Sequence, residues 1–289
     1  AKRITDLKIP EGTSPDQAFV QILDPATGTG TFPVEVVDLI YKTMTAKWQS
    51  QGKREAQIKE LWNEYVPVHL LPRLHGYEIM MAPYAIAHMK IGLKLYETGY
   101  RFNSDQRARI YLTNALEPAQ DASGTFAFAI PALAHEAEAV NSIKIGQYFT
   151  VVIGNPPYAN YSSNLSPEAR KIVDKYRHFR GTPIRERNQL QFERNIQDDF
   201  VKFISISHDQ ILASGIGIIS FITNGTMLAS TSLRGMRERL FEEFNKLFEL
   251  NLHGGQNENI EELEDDENVF DIVQSVAIHI YVRSISEKS

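Results

Sequence analysis

The chain has 289 residues, a formal net charge of -6 at pH 7 and no cysteine. Disulfides, thiolate metal sites and a cysteine nucleophile are therefore excluded. At 43% apolar and 23% charged residues the composition is that of a soluble globular chain, which argues against wholesale disorder. There is no run of eighteen apolar residues to span a membrane, and the opening AKRITDLKIPEG lacks the apolar stretch of a signal peptide. The acidic balance does not advertise nucleic-acid binding, although a local basic face would serve for it.

Along the chain, short apolar runs alternate with longer helical patterns. Strands are predicted at Val20–Leu23, Gly76–Ile79, Arg109–Leu112, Phe149–Ile153, Gly217–Ile222, Leu247–Leu252 and Ser275–Val282. Helices are predicted at Val34–Thr45, Gln57–Val66, Pro83–Tyr96, Asp198–Leu212 and Ser232–Phe244. This alternation implies an α/β fold, a mostly parallel sheet with helices on both faces. Between Leu252 and Ser275 lies a polar, acidic loop (GGQNENIEELEDDEN) with no amphipathic helix. A parallel crossover needs a helix and a hairpin does not, so the last strand is expected to run antiparallel to its neighbour.

Two segments read as insertions, Ala46–Leu74 and Ala159–Ile196. Within the second, residues 167–187 hold Arg170, Lys171, Lys175, Arg177, Arg180, Arg185 and Arg187 against three acids. Such a run is either a solvated face or a surface for phosphates, and the two readings carry equal weight here.

The first chemical signal is Asp24-Pro25-Ala26-Thr27-Gly28-Thr29-Gly30-Thr31-Phe32, between the apolar VQIL and the helical PVEVVDLIY. A glycine-rich turn from strand to helix lets backbone approach a ligand closely. Gly28 and Gly30 are the permissive positions, and Pro33 suits a first helical turn. A phosphate-cradling loop would need Gly-Lys-Ser/Thr, whereas Gly30 is followed by Thr-Phe. A dinucleotide loop would place a third glycine where Pro33 stands.

The second signal is Gly154-Asn155-Pro156-Pro157-Tyr158, directly after YFTVVI. Two prolines fix the backbone and remove two amide donors. They also bias Asn155 away from helical geometry. The result is a rigid turn at the carboxyl end of a strand, where open α/β sheets bind ligands. It displays an amide side chain, bare carbonyls and one aromatic ring.

Together these two motifs resemble the amino-group DNA methyltransferases, specifically adenine-N6 enzymes with the cofactor loop before the catalytic loop. The stretches GYEIMMAPYAIAHMKIGLKL, RIYLTNALEP, GIISFITNGTML, LRGMRERLFEEF, LNLHGG and NVFDIVQSVAI follow in the family's order. The pattern is most similar to the methyltransferase portion of type ISP and type IIG restriction–modification enzymes. The resemblance implies a Rossmann-like methyltransferase fold with seven strands in the order 3-2-1-4-5-7-6 and the seventh reversed. It implies one catalytic domain over 1–289, S-adenosylmethionine as cofactor, double-stranded DNA as substrate and a cytoplasmic place. Nuclease, translocase and target-recognition segments would be its partners in a longer chain or complex, with no membrane involved. The family's Tyr-Thr-Pro segment is not seen before Asp24, nor a target-recognition domain after Ser289, so a trimmed catalytic domain is the expectation.

Carried over by motif, Asp24 would lie near the methionine end of the cofactor. Ala26, Thr27, Gly28 and Gly30 would form the loop against it. Glu78 would accept from both ribose hydroxyls, and Asn114, where the family usually has Asp, would accept from the adenine amine of the cofactor. Asn155 and the Pro156 carbonyl would act on the target amine, with Asn155 also beside the cofactor. Tyr158 would stack on the flipped base. Phe270 matches a second aromatic at the base, with core packing weighed equally. Arg170, Lys171, Lys175, Arg177 and Arg180 are candidates for the DNA backbone. No metal is implied, and no metal-ligand spacing appears among the eight histidines. Two other functions remain open: methylation of protein glutamine or RNA amines by the same fold, and a non-catalytic docking module.

Overall fold

The computed structural model describes residues 17–119, 131–158, 162, 164–253 and 275–284. Its elements in chain order are β1 (Ile22–Asp24), α1 (Thr31–Ser50), α2 (Glu55–Tyr65), β2 (Leu74–Glu78), α3 (Met81–Glu97), β3 (Arg109–Leu112) and α4 (Pro131–Gly146). They continue with β4 (Val151–Gly154), α5 (Pro167–Lys171), α6 (Gln189–Ile196), α7 (Asp199–Ser214), β5 (Gly217–Asn224), α8 (Thr226–Ala229), α9 (Arg234–Glu243), β6 (Lys246–Asn251) and β7 (Val276–Arg283). The seven strands are ordered β3-β2-β1-β4-β5-β7-β6. The β1–β2, β2–β3 and β4–β5 pairings are parallel, and β7 runs antiparallel to both β5 and β6. The expected strand order and the reversed last strand are both present.

Residues 17–115, 119 and 131–147 form one compact unit. Its helix α1 carries Val34, Val37, Tyr41, Met44 and Trp48 at spacings of three or four, so an apolar stripe continues past Thr45 and the helix runs to Ser50. Ile58 and Trp62 extend the same core from α2. Pro67 lacks the N–H that a regular helix would use. The chain there opens into a π turn, Val66–Leu70, and then a 3₁₀ turn, Leu71–Arg73. Val66, Leu70 and Leu71 are buried with Trp48 and Trp62. Residues 46–74, read as an insertion, therefore supply much of this unit's core. Trp62 is buried, and its indole N–H donates to Thr98 Oγ1 at 2.9 Å, so the ring brings no unpaired donor inside. β1 begins at Ile22 rather than Val20, and β2 ends at Glu78, leaving Ile79 outside the strand. Helix α4 is an element the sequence reading did not name.

The second unit comprises 116–118, 148–158, 162, 164–253 and 275–284. Its central helix α7 is capped by Asp198, whose side chain accepts from the Phe200 N–H, and stops at Gly215 with φ 75°. A left-handed residue there ends the helix, which is why a glycine serves. α7 is buried along most of its length and packs on β5. The segment 164–196, also read as an insertion, is docked on it. Val173, Tyr176, Phe192 and Ile196 are buried, and the Tyr176 hydroxyl lies 3.0 Å from His208 Nδ1 of α7. Among the described residues no helix is long and apolar enough to cross a membrane.

Candidate active site

In the first unit the turn after β1 is built by its own residues. Thr27 N–H donates to the Tyr77 carbonyl at 2.9 Å, and the Thr27 hydroxyl donates to the Asp24 carbonyl at 2.9 Å. A side chain at Gly76 would collide with that hydroxyl, its Cβ falling 2.3 Å from Oγ1. Thr27, expected among the cofactor contacts, thus has a buried side chain bonded to the end of β1, while its backbone N–H ties the loop to β2. Gly28 has φ 56° and open space where a Cβ would stand. Gly30 has φ 81°, and a Cβ there would lie 3.0 Å from the Ala87 Cα of α3. One glycine thus leaves room beside the turn, and the other permits close packing of helix on loop.

Two carboxylates flank this turn. Asp24 ends β1 and is buried. Its Oδ1 accepts from the Ala26 N–H at 3.2 Å, while its buried Oδ2 accepts no hydrogen bond. Burial, opposed by the Ala26 hydrogen bond and reinforced by the charge of Glu78, pushes its pKa up to about 7. Glu78 ends β2. Its Oε2 accepts from the Gly28 N–H at 2.9 Å and its Oε1 from the Met80 N–H at 2.8 Å. One carboxylate therefore ties the glycine turn to the start of α3. Each of its oxygens still has a second acceptor site.

Beyond Glu78, Ile79 and Met80 are 62% and 59% exposed. The sequence reading placed Ile79 in a strand and gave neither residue a role. Their signal was an apolar pair directly after a strand-end acid, a place where polar residues would ordinarily meet solvent. Asn114 follows β3, is half-buried, and its carbonyl accepts from Lys144 Nζ at 2.8 Å.

In the second unit, Asn155–Tyr158 follows β4 with no regular structure. Pro156 is buried, Pro157 exposed, and Asn155 and Tyr158 half-buried. The Asn155 side-chain oxygen is buried and accepts no hydrogen bond. Burial holds the Tyr158 hydroxyl above the usual phenol range, so the ring stays neutral.

The chain just beyond is clamped by α7. Lys202 is fully buried, and its ammonium donates to Ser162 Oγ and to the Asn164 carbonyl, both at 2.7 Å. Asp199 accepts from Ser162 Oγ at 2.5 Å and from Asn164 Nδ2 at 3.1 Å. Leaving either charge unpaired inside would be costly, so the pair fixes where this segment runs. Sequence reasoning missed Lys202 because a lysine within an apolar helix pattern reads as a solvated residue.

Phe270 and the acidic loop lie outside the described residues. Of the basic residues proposed for DNA, two have partners within the protein. Lys175 Nζ donates to the Ser205 carbonyl at 2.8 Å and to Asp209 at 2.5 Å, and its burial lowers the ammonium's pKa. Arg177 makes a fork to Glu193 at 2.5 and 3.0 Å and reaches Asp174 at 2.9 Å. Lys175 is thus held on α7 and Arg177 by acids of its own segment, so both charges are balanced within the protein. Arg170 donates from Nε to the Leu165 carbonyl at 3.1 Å, while Lys171 is exposed. Arg180 stands at a hairpin tip. No group of three or more potential metal ligands occurs among the described residues.

A strand order of 3-2-1-4-5-7-6 in which β7 runs against both of its neighbours, with a glycine turn after β1, is the Rossmann-like architecture of methyltransferases. The comparison with known proteins narrows that class. Residues 74–256 match the Eco57I restriction-modification methylase family, and the chain belongs to that family. Its structure is similar to that of LlaBIII, an ATP-dependent Type ISP restriction-modification enzyme solved bound to DNA. The identity is 26% and the TM-score 0.67, over 94% of this chain and 17% of that one. A nuclease-deletion mutant of the Type ISP enzyme LlaGI, solved with a DNA substrate mimic, is 26% identical. Its TM-score is 0.68, over 96% of this chain and 21% of its own. The DrdV chain of a DrdV–DNA complex shares the fold at 24% identity and a TM-score of 0.64, over 93% and 24%. The chain thus spans between 17% and 24% of the length of these relatives. None of the curated proteins matches it.

Proposed function

We propose that the protein transfers a methyl group from S-adenosylmethionine to the exocyclic N6 amine of an adenine flipped out of duplex DNA, as part of a restriction–modification system. The observation that carries this reading is the Asn155 carboxamide oxygen, a buried acceptor without a donor at the carboxyl end of a parallel strand. Membership of a restriction-modification methylase family supports it. So do two similar enzymes whose structures hold DNA or a DNA mimic.

The residues of the first unit fit the cofactor. Asp24 Oδ2 is an orphaned buried acceptor suited to a cationic amino group. Glu78 has acceptor capacity left for two hydroxyls, and the exposed side chains of Ile79 and Met80 offer an apolar surface to a purine face. S-adenosylmethionine, when bound, supplies a methyl group already activated by its sulfonium.

The task left to the protein is the amine. Adenine's N6 lone pair is delocalised into the ring, which makes it a poor nucleophile. Asn155 Oδ1 and the Pro156 carbonyl would accept from its two hydrogens, favouring a tetrahedral nitrogen and stabilising the positive charge that grows there. Neither Pro156 nor Pro157 carries an N–H that would compete for these acceptors. As the N–CH₃ bond forms and the S–CH₃ bond breaks, the electron pair goes to sulfur. The methylated amine then releases one proton to solvent, and no strongly basic side chain is required. The amine cannot be reached inside a duplex, so the base must leave the stack. Tyr158 would stack on it.

Two results are expected. Tyr158→Ala should weaken binding to DNA bearing an adenine opposite an abasic site by about 1–3 kcal/mol, the scale of base–aromatic stacking. Fluorescence anisotropy reads this directly, and an unchanged affinity would refute a flipped base at Tyr158. The second concerns protons. Asp24 has a folded-state pKa of about 7, above its ordinary 3.8. Its raised pKa means that unliganded stability falls as pH rises from roughly 4 to 7, while a cationic ligand favours the ionised form. Cofactor affinity should therefore rise as pH increases through about 7, with proton release on binding at pH 6. Calorimetry in buffers of different ionisation enthalpy measures that release, which Asp24→Asn should remove.

A further inference from the structure

With Lys175 and Arg177 neutralised internally, the basic segment's unpaired charge gathers around one hairpin. His178–Phe179 pairs antiparallel with Thr182–Pro183. The two residues between them, Arg180 and Gly181, have φ 51° and 73°. A two-residue turn with both φ values positive is the tight type that suits a hairpin's twist. The hairpin is held firmly on α9. The Arg180 N–H donates to both carboxylate oxygens of Glu238, at 3.0 and 2.8 Å. A Cβ at Gly235 would fall 2.3 Å from the carbonyls of Tyr176 and His178, so backbone lies directly on backbone there.

Beside this hairpin opens a pocket of about 440 Å³, lined by Phe179, Thr182, Pro183, Ile184, Arg185 and Arg234. The guanidinium groups of Arg180 and Arg234 stand 5.2 and 5.8 Å from the centre of the Phe179 ring. Arg234 is paired with Glu186. The side chains of Arg180 and Arg185 are exposed and pair with no carboxylate among the described residues. The pocket thus has one aromatic wall and the unpaired Arg185 guanidinium, with Arg180 beside the same ring at its edge, a chemistry suited to an anion.

We propose that this pocket grips one nucleotide of the DNA backbone, with Arg180 and Arg185 on phosphate oxygens and Phe179 against the sugar or base. The assignment rests on the DNA reading above. It moves the backbone contact from Lys175 and Arg177, which the fold uses, to Arg185 of the same basic run, and adds Phe179. Its chemistry is that of single nucleotide recognition, with planar forks for phosphate and a π face for the uncharged part.

The test is binding of a random-sequence duplex to the purified protein by anisotropy over a salt series. Each phosphate contact contributes a slope of about -0.9 in log affinity against log salt. Arg180→Gln and Arg185→Gln should each reduce the slope by about one contact, and the double variant by about two. Phe179→Ala should weaken binding about tenfold at constant slope. Lys246→Gln, at an exposed cation on β6 outside the pocket, should leave the slope unchanged. Thermal melting of each variant near the wild type establishes folding, since both arginine side chains lie at the surface. Wild-type binding that is unaffected by Arg180→Gln and Arg185→Gln overturns the pocket and leaves the DNA reading standing. Equal loss with Lys246→Gln means diffuse electrostatic attraction and also overturns it. A wild type that binds no duplex overturns the DNA reading and the pocket with it. Preference for RNA, lost in the same variants, assigns the pocket to a different polymer and rejects the proposal.

Discussion

Asn155→Ala should lower the rate of methyl transfer by about 10²–10³-fold or more, the cost of removing one preorganised dipole from a developing charge. Cofactor affinity should stay within a few-fold of the wild type. The split follows from geometry. The Asn155 oxygen is buried and has no protein donor, so the variant breaks no internal hydrogen bond through that atom. Its function is then exercised only when a donor arrives, and the proposed donor is the target amine. The two prolines that follow keep the turn's backbone in place after the side chain is gone. Single-turnover transfer and a cofactor titration on the same preparation decide the matter. Loss of both in equal measure would mean that Asn155 serves the cofactor, and its assignment to the target amine would fall.

Glu78→Ala should do the opposite, raising the cofactor's Kd by about two orders of magnitude. The carboxylate holds the Gly28 N–H at 2.9 Å and the Met80 N–H at 2.8 Å, so the variant loosens the turn and the start of α3 together. It also removes the acceptors proposed for the ribose hydroxyls. Hydrogen bonds to charged groups contribute about 1.5–3 kcal/mol each, so loss of the two to ligand alone reaches that scale. Glu78→Gln should be intermediate, because its carboxamide keeps one acceptor and sets an NH₂ against a backbone donor. Calorimetric titration with S-adenosylhomocysteine measures both variants without catalysis. A Kd within threefold of the wild type for Glu78→Ala would remove the ribose assignment.

The legible parts of the molecule are those whose physics is local. The Gly28 and Gly30 turn, the Pro-framed Asn155 and the strand-end Glu78 each declare themselves within a few residues. The reversed β7 followed from the lack of an amphipathic pattern in the sequence before Ser275. Helix α1 was cut short at Thr45, although Met44 and Trp48 continue its stripe. The series Ile58, Trp62, Val66 and Leu70 likewise repeats every fourth residue, and it marked the supposed insertion as core. What could not be read was pairing at a distance. Lys175 with Asp209, Arg177 with Glu193 and Lys202 with Ser162 each join residues far apart in the chain. A charge run in sequence does not say which of its members the fold will neutralise. The same holds for Thr27, whose place in the motif suggested ligand contact while its hydroxyl packs over Gly76.

The central claim is tested most directly by following labelled methyl groups. The purified protein is incubated with tritiated S-adenosylmethionine and mixed genomic DNA, with bulk RNA and release factor as parallel acceptors, and the DNA is then digested to nucleosides. The account predicts label in DNA, recovered as N6-methyladenine. Label confined to RNA or protein, or recovered from DNA as a methylated cytosine, would contradict it.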